Sequence, residues 1–220
     1  MKLHVNSWVA YNLAMDQAKV RVAVDAGAND GGYTATLLEH GFEVHSFEPV
    51  PEMFEKLKAR VGHDKRATLN QCALGDRFST QTGIQVLEAW TLGRPGDGGL
   101  SVSPDFKDAP GFKMTTMRLD DYLGETPIGI LKLDVDGHEF KVLKGAARTL
   151  RRDKPPILCE FGCYLSKLFG PEAPRQMVEF IFDLGYKVVS CDAKHEFTRW
   201  DQIEPQWPWH TTFDVVLLPR

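Results

Sequence analysis

Val24-Asp25-Ala26-Gly27-Ala28-Asn29-Asp30-Gly31-Gly32 reads as the end of an apolar strand breaking into a glycine-rich turn. Phe47-Glu48-Pro49 closes the next apolar run. Glycines at a strand-to-helix turn let the backbone approach a ligand and adopt torsions that other residues resist. A carboxylate ending the following strand can accept hydrogen bonds from both hydroxyls of a ribose. The pair predicts an adenosine-binding crevice at the carboxyl ends of the strands of an open α/β sheet.

The surrounding pattern agrees with such a sheet. Strand-like runs at residues 20–25, 43–48, 67–74, 129–134, 156–161, 186–191 and 213–218 alternate with helical stretches at 34–40, 51–61, 138–151 and 175–184. This alternation predicts a mostly parallel Rossmann-like sheet, last strand antiparallel, with helices on both faces. Three segments depart from it. Residues 1–19 read as an N-terminal helical extension, and 76–118 as a β-containing insertion around the loop Gly93–Gly99. Residues 192–211 read as a polar and aromatic rim loop carrying His195, Trp200, Trp207, Trp209 and His210. The whole is one domain.

Composition bounds the function. The 220 residues carry a formal charge of −4 and no long Lys/Arg run, which argues against nucleic acid as the partner. No stretch is long and apolar enough to span a membrane, and the N-terminus lacks the core of a signal peptide. Cys72, Cys159, Cys163 and Cys191 are scattered, as in a cytoplasmic protein with reduced thiols.

The charges at the turn narrow the cofactor. Asp25 before the turn and Asp30 within it would repel a pyrophosphate but suit a ligand bearing an ammonium and a sulfonium, such as S-adenosylmethionine. An NAD-linked oxidoreductase on a similar sheet is the rival, but a Tyr-x-x-x-Lys pair does not occur around the fourth and fifth strands. A non-catalytic binding protein that keeps the fold is the other alternative.

Several motifs in order carry a family resemblance: residues 24–32, Ser46-Phe47-Glu48-Pro49-Val50-Pro51-Glu52, Cys72-Ala73-Leu74-Gly75-Asp76, Leu119-Asp120-Asp121-Tyr122-Leu123 and Leu131-Lys132-Leu133-Asp134-Val135-Asp136-Gly137-His138-Glu139. Together with Leu143-Lys144-Gly145-Ala146 they resemble FkbM-type methyltransferases over about residues 20–160. The resemblance implies a class I S-adenosylmethionine-dependent fold and, most often, methylation of a hydroxyl oxygen. Carried over by position, Asp25, Gly27, Asn29 and Gly31 line the methionine end and Glu48 binds the ribose; Asp30 and Pro49 are further expected cofactor-binding residues. Cys72, Ala73 and Leu74 flank the adenine, and Asp134 lies near the amino acid moiety or the substrate. Asp136 stands where the family more often has Glu, and the family varies at His138.

An alcohol acceptor needs a base within hydrogen-bond reach as its oxygen attacks. His138 is the first expectation, oriented by Asp134 or Asp136, with Glu139 beside it and His210 as a second candidate. Asp134 and Glu160, ending neighbouring strands, are candidate ligands for Mg²⁺. The expected acceptor is a small hydroxyl compound, a carbohydrate before a polyketide-like metabolite; an N-methyltransferase remains an alternative.

Overall fold

A computed structural model of the protein describes residues 7–86, 89–92 and 111–220. The strands are β1 (Val22–Ala26), β2 (Glu43–Phe47), β3 (Ala67–Asn70), β4 (Ala73–Leu74), β5 (Ser79–Val86), β6 (Ala89–Leu92), β7 (Gly111–Met117), β8 (Ile130–Leu133), β9 (Ile157–Gly162), β10 (Tyr186–Ser190), β11 (Glu196–Phe197) and β12 (Thr212–Pro219). The helices are α1 (Ser7–Asp16), α2 (Gly32–Glu39), α3 (Pro51–Val61), α4 (Leu119–Leu123), α5 (Glu139–Gly145), α6 (Ala147–Asp153), α7 (Cys163–Phe169), α8 (Ala173–Asp183) and α9 (Trp200–Ile203).

Eight strands form the main sheet in the order β11-β10-β12-β9-β8-β1-β2-β3. Strands β3, β2, β1, β8 and β9 run parallel. The last strand, β12, inserts antiparallel between β9 and β10, as expected. Strand order reverses at β1, between β2 and β8, so the crevice for a ligand falls at its carboxyl end.

Side-chain alternation puts helices on both faces. Val24, Ala26, Leu131 and Leu133 join a core cluster with Val142, Leu143, Leu150, Val178 and Ile181 of α5, α6 and α8. Ala23, Val44 and Ile130 face the other way, onto Tyr11, Leu37 and Leu57 of α1, α2 and α3. Strands buried on both faces read as continuous apolar runs, which is why these segments were legible as parallel strands.

Two expected elements are divided. The run 67–74 breaks at Gln71-Cys72: β3 stays in the main sheet, while β4 pairs with β7 in a second sheet of order β4-β7-β5-β6. The helix expected over 138–151 is split at Ala146 into α5 and α6. Gly145 packs so closely that an added Cβ would lie 1.8 Å from the Gly75 carbonyl oxygen. Asp120 then caps α6, accepting the Arg148 and Thr149 amides at 3.0 and 2.9 Å. The insertion is thus built around the second sheet; Gly93–Gly99 lies outside the described residues.

Candidate active site

Strand β1 ends in the turn. Gly27 has φ +79°, and a Cβ there would lie 1.8 Å from the Asp134 carbonyl oxygen, so only glycine lets β1 and β8 close at this point. The Gly27 and Ala28 amides both donate to the Phe47 carbonyl at 3.0 Å, joining the turn to the end of β2. Glu48 follows Phe47 and is buried. It accepts the Asn29 amide on Oε2 and the Val50 amide on Oε1, each at 2.8 Å. Burial pushes its carboxyl up to about 7, against the pull of these two amides and of Lys132.

Beneath the turn lies a buried polar row that inspection of the motifs missed. Lys132, Asp25 and Ser46 are register partners on β8, β1 and β2. Thr34 of α2 donates to Asp25 Oδ2 at 2.6 Å and lies 2.8 Å from the Ser46 hydroxyl. Lys132 Nζ donates to the Gly27 carbonyl at 2.6 Å and sits 3.5 Å from Asp25 Oδ1 and 3.4 Å from Asp134 Oδ2. Burial would lower the Lys132 pKa, but the Asp134 and Asp25 carboxylates outweigh it and hold the ammonium above its ordinary value. The available signal was a lysine inside the otherwise apolar strand Ile130–Leu133.

This row changes the reading of the turn's charges. Asp25 is paired with Lys132, and Asp30, expected at the cofactor, pairs its carboxylate with Arg60 of α3. Arg60 also donates to the Asp30 carbonyl at 2.9 Å, so α3 clamps the turn from outside. The two carboxylates are therefore balanced by cations, and the repulsion expected for a pyrophosphate loses its basis.

The segment after β8 supplies the acidic part of the rim. The Asp134 side chain is 41% exposed, enough to meet a ligand. Asp136 has φ +52° and Gly137 φ +93°, turning the chain into α5. Burial and then the charge of Asp134 push Asp136 up to about 6. Glu160, at the end of β9, is likewise held well above the usual carboxylate range by burial and by Asp134. Tyr164 of α7 is half out of the surface and feels both Asp136 and Glu160.

Other expected site residues lie differently. Glu139 is buried and accepts the Val135 and Gly137 amides on Oε1 at 3.0 and 3.2 Å, so it braces the loop from inside. His138 is only 4% exposed and stands edge-on to Phe169 of α7, with ring centroids 5.6 Å apart. Burial, then Lys141, lowers its pKa to about 4, which keeps the ring neutral but a weak proton acceptor. His210 is exposed just before β12, beside the Thr211 carbonyl that accepts the Cys163 amide. Trp207 is buried against Phe161 and Trp200 and fastens the rim loop down, whereas Trp209 stays exposed. Pro49, Cys72, Ala73 and Leu74 are all buried where the chain leaves β2 and β3; burial raises the Cys72 thiol to about 11.

These residues fit an adenosyl cofactor. Each Glu48 oxygen spends one lone pair on an amide, leaving acceptor capacity for a pair of ribose hydroxyls. Among the described residues no group of three or more His, Cys, Asp or Glu side chains is arranged to hold a metal. Among the described residues no helix is long and apolar enough to cross a membrane.

The sheet order, the glycine turn and the strand-end carboxylates define a class I methyltransferase fold. The chain belongs to the FkbM methyltransferase family: the family model for the methyltransferase FkbM domain matches residues 25–188. The chain thus carries an FkbM methyltransferase domain. It is 31% identical over 154 residues to the 31-O-demethyl-FK506 methyltransferase FkbM of Streptomyces tacrolimicus, covering 56% of this chain and 58% of that protein. The chain thus spans little more than half of that relative's length. Among solved structures, it resembles the methyltransferase FkbM of Methylobacillus flagellatus with a TM-score of 0.55 at 18% identity, covering 90% of this chain and 43% of the other. An rRNA methylase of Streptococcus thermophilus shares the fold with a TM-score of 0.50 at 12% identity, over 96% of this chain and 93% of that one.

Proposed function

We propose that the protein transfers a methyl group to a hydroxyl oxygen of a small polyhydroxylated acceptor, a glycoside or oligosaccharide before a polyketide-like metabolite. The observation that carries this reading is the rim of Asp134, Asp136 and Glu160 beside the exposed ring of Tyr164. S-adenosylmethionine, when bound, supplies a methyl group on a good leaving group, so the protein's task is to orient the acceptor and take its proton. Asp136, held at about 6, is matched to accepting a proton near neutral pH, with Glu160 as its neighbour. This role moves from His138, whose ring holds a proton too weakly. The exposed ring offers a face on which a sugar can stack. The name of the Streptomyces relative, an O-methyltransferase, supports oxygen as the acceptor atom. The charge of −4 supports a small-molecule partner over nucleic acid, and a cytoplasmic site of action suits four free, buried cysteines.

The test is a methyl-transfer assay with S-adenosylmethionine against glycosides, a macrolide polyol and amine analogues, with the methylated atom located by mass spectrometry. Methyl ethers are expected, and Asp136→Asn is expected to lower kcat with cofactor affinity kept. Methylation confined to nitrogen overturns the reading, and unchanged kcat in Asp136→Asn removes that residue as the base.

A further inference from the structure

Beside the acidic rim is a cleft richer in cations and hydroxyls, to which the methyl-transfer chemistry assigns no role. It lies between the second sheet and α5, where the chain leaves β4. Leu74, Asp76 and Arg77, Ser79 and Gln81 of β5, Thr116 of β7, and His138 and Lys141 from the start of α5 line it. Gly75 lets Thr116 pack close at its edge: a Cβ would lie 2.6 Å from the Thr116 methyl. Its lining thus offers hydroxyls, an amide and two cationic side chains beside the single carboxylate of Asp76, and the donors outnumber it as a phosphate or carboxylate ligand requires.

The charge of this region is unlike that of the chain as a whole. Lys141 is half-buried; burial lowers its pKa, Asp76 opposes that, and Arg77 and Lys144 add like charge. The charges around Lys141 are mixed, Arg77 and Lys144 against Asp76, in a protein of net charge −4. Lys141 Nζ is held 4.8 Å above the Phe169 ring, and His138 one turn earlier stands against the same ring. Through that shared contact the cleft abuts the rim, because His138 belongs to both the cleft lining and the loop that carries Asp134 and Asp136.

We propose that this cleft is a binding subsite for an oxyanion carried by the acceptor, so that the substrate class is an acidic sugar, phosphorylated or carboxylated, rather than a neutral one. The inference rests on the reading of the rim as a hydroxyl-acceptor site, and names which acceptors fit it. Arg77 and Lys141 hold the anion; Ser79, Gln81 and Thr116 supply neutral hydrogen bonds; the sugar then extends from the cleft with its hydroxyls toward Asp136.

The test uses the full chain with bound S-adenosylhomocysteine, titrated with glucose 1-phosphate, glucuronate and glucose while backbone amides are followed by NMR. Shifts at residues 75–79 and 138–141 are expected with one or both anionic probes and not with glucose; the anion that causes them tells phosphate from carboxylate. The Arg77→Gln/Lys141→Gln variant, altered at accessible positions, should bind that anion more weakly by about tenfold or more, with unchanged affinity for S-adenosylhomocysteine. No anion-dependent shifts, shifts elsewhere, or wild-type anion affinity in the double variant would overturn the proposal. The reading of the reaction is tested apart from it: methylation of neutral sugars without anion binding removes the subsite and keeps the reaction. Anion binding here without methylation of any hydroxyl keeps the subsite and removes the reaction.

Discussion

Lys132 shows how one residue can hold a site together without touching a ligand. Its ammonium lies between Asp25 and Asp134 and on the Gly27 carbonyl, tying β1 and β8 together at the point where the crevice opens. Lys132→Met leaves Asp25 buried without its cation, which costs about 3–5 kcal/mol. Urea unfolding should show a loss of that size, and adding Asp25→Asn should recover most of it; a loss in the double variant equal to the sum of the two single losses would mean that the pair is not coupled. Glu48 makes the complementary case, a buried group turned toward ligand. Glu48→Gln puts an amide where two backbone N–H groups and a ribose need acceptors, so calorimetry should show S-adenosylhomocysteine binding weakened by about ten- to a hundredfold. Wild-type affinity would remove Glu48 from the ribose site. The two residues also mark what was legible beforehand. Glu48 and Gly27 announce themselves by position, since a strand end and a turn are visible in a pattern of residue types. Lys132 and the Asp30–Arg60 pair depend on which strands and helices become neighbours, and residue types alone do not record that.

Among elements, the junction of α5 with β4 ties the inserted sheet to the main fold. Its tightest point is Gly145, which has no unusual backbone torsion but touches the Gly75 carbonyl. Gly41 is the opposite case, with φ +81° and nothing within 4 Å of an added Cβ. Alanine at Gly41 should therefore cost about 1 kcal/mol, from its torsion alone. At Gly145 it must push two backbones apart, and should cost about 1–3 kcal/mol or more. Thermal unfolding of both variants checks the order; a Gly145→Ala protein as stable as Gly41→Ala would mean that the junction yields freely. This junction also accounts for what was missed among the elements. The periodicity of residues 138–151 continues across Ala146, so the pattern shows one helix where the contact with Gly75 makes two. Helices α4 and α7 have only five and seven residues, too few turns to show a helical period. The long parallel strands were legible because both of their faces are buried.

On the scale of the whole molecule, the site gathers carboxylates that are held above their ordinary range: Glu48 after β2 at about 7, Asp136 after β8 at about 6 and Glu160 of β9 at the rim, and Glu139 of α5 at about 7 beneath it. Burial is the first cause in each. A group raised on folding binds more protons in the native state, so its contribution is complete below the unfolded pKa and is lost as pH rises through the folded value. His138 has the opposite sign: it is lowered to about 4, and its contribution is lost as pH falls below about 6.5. Above about pH 6.5 only the carboxylate effect remains among these groups, so the protein without ligand should lose stability between pH 6.5 and 8. A cation bound at the rim favours the ionised carboxylates and releases their protons. The sulfonium of S-adenosylmethionine is such a cation, while S-adenosylhomocysteine has a neutral sulfur. The affinity ratio of the methylated cofactor to its product should therefore rise with pH over the same interval, and calorimetry in buffers of different ionisation enthalpy should show proton release with the former in excess of the latter. A ratio independent of pH, with equal proton release, would mean that the rim carboxylates do not face the sulfur.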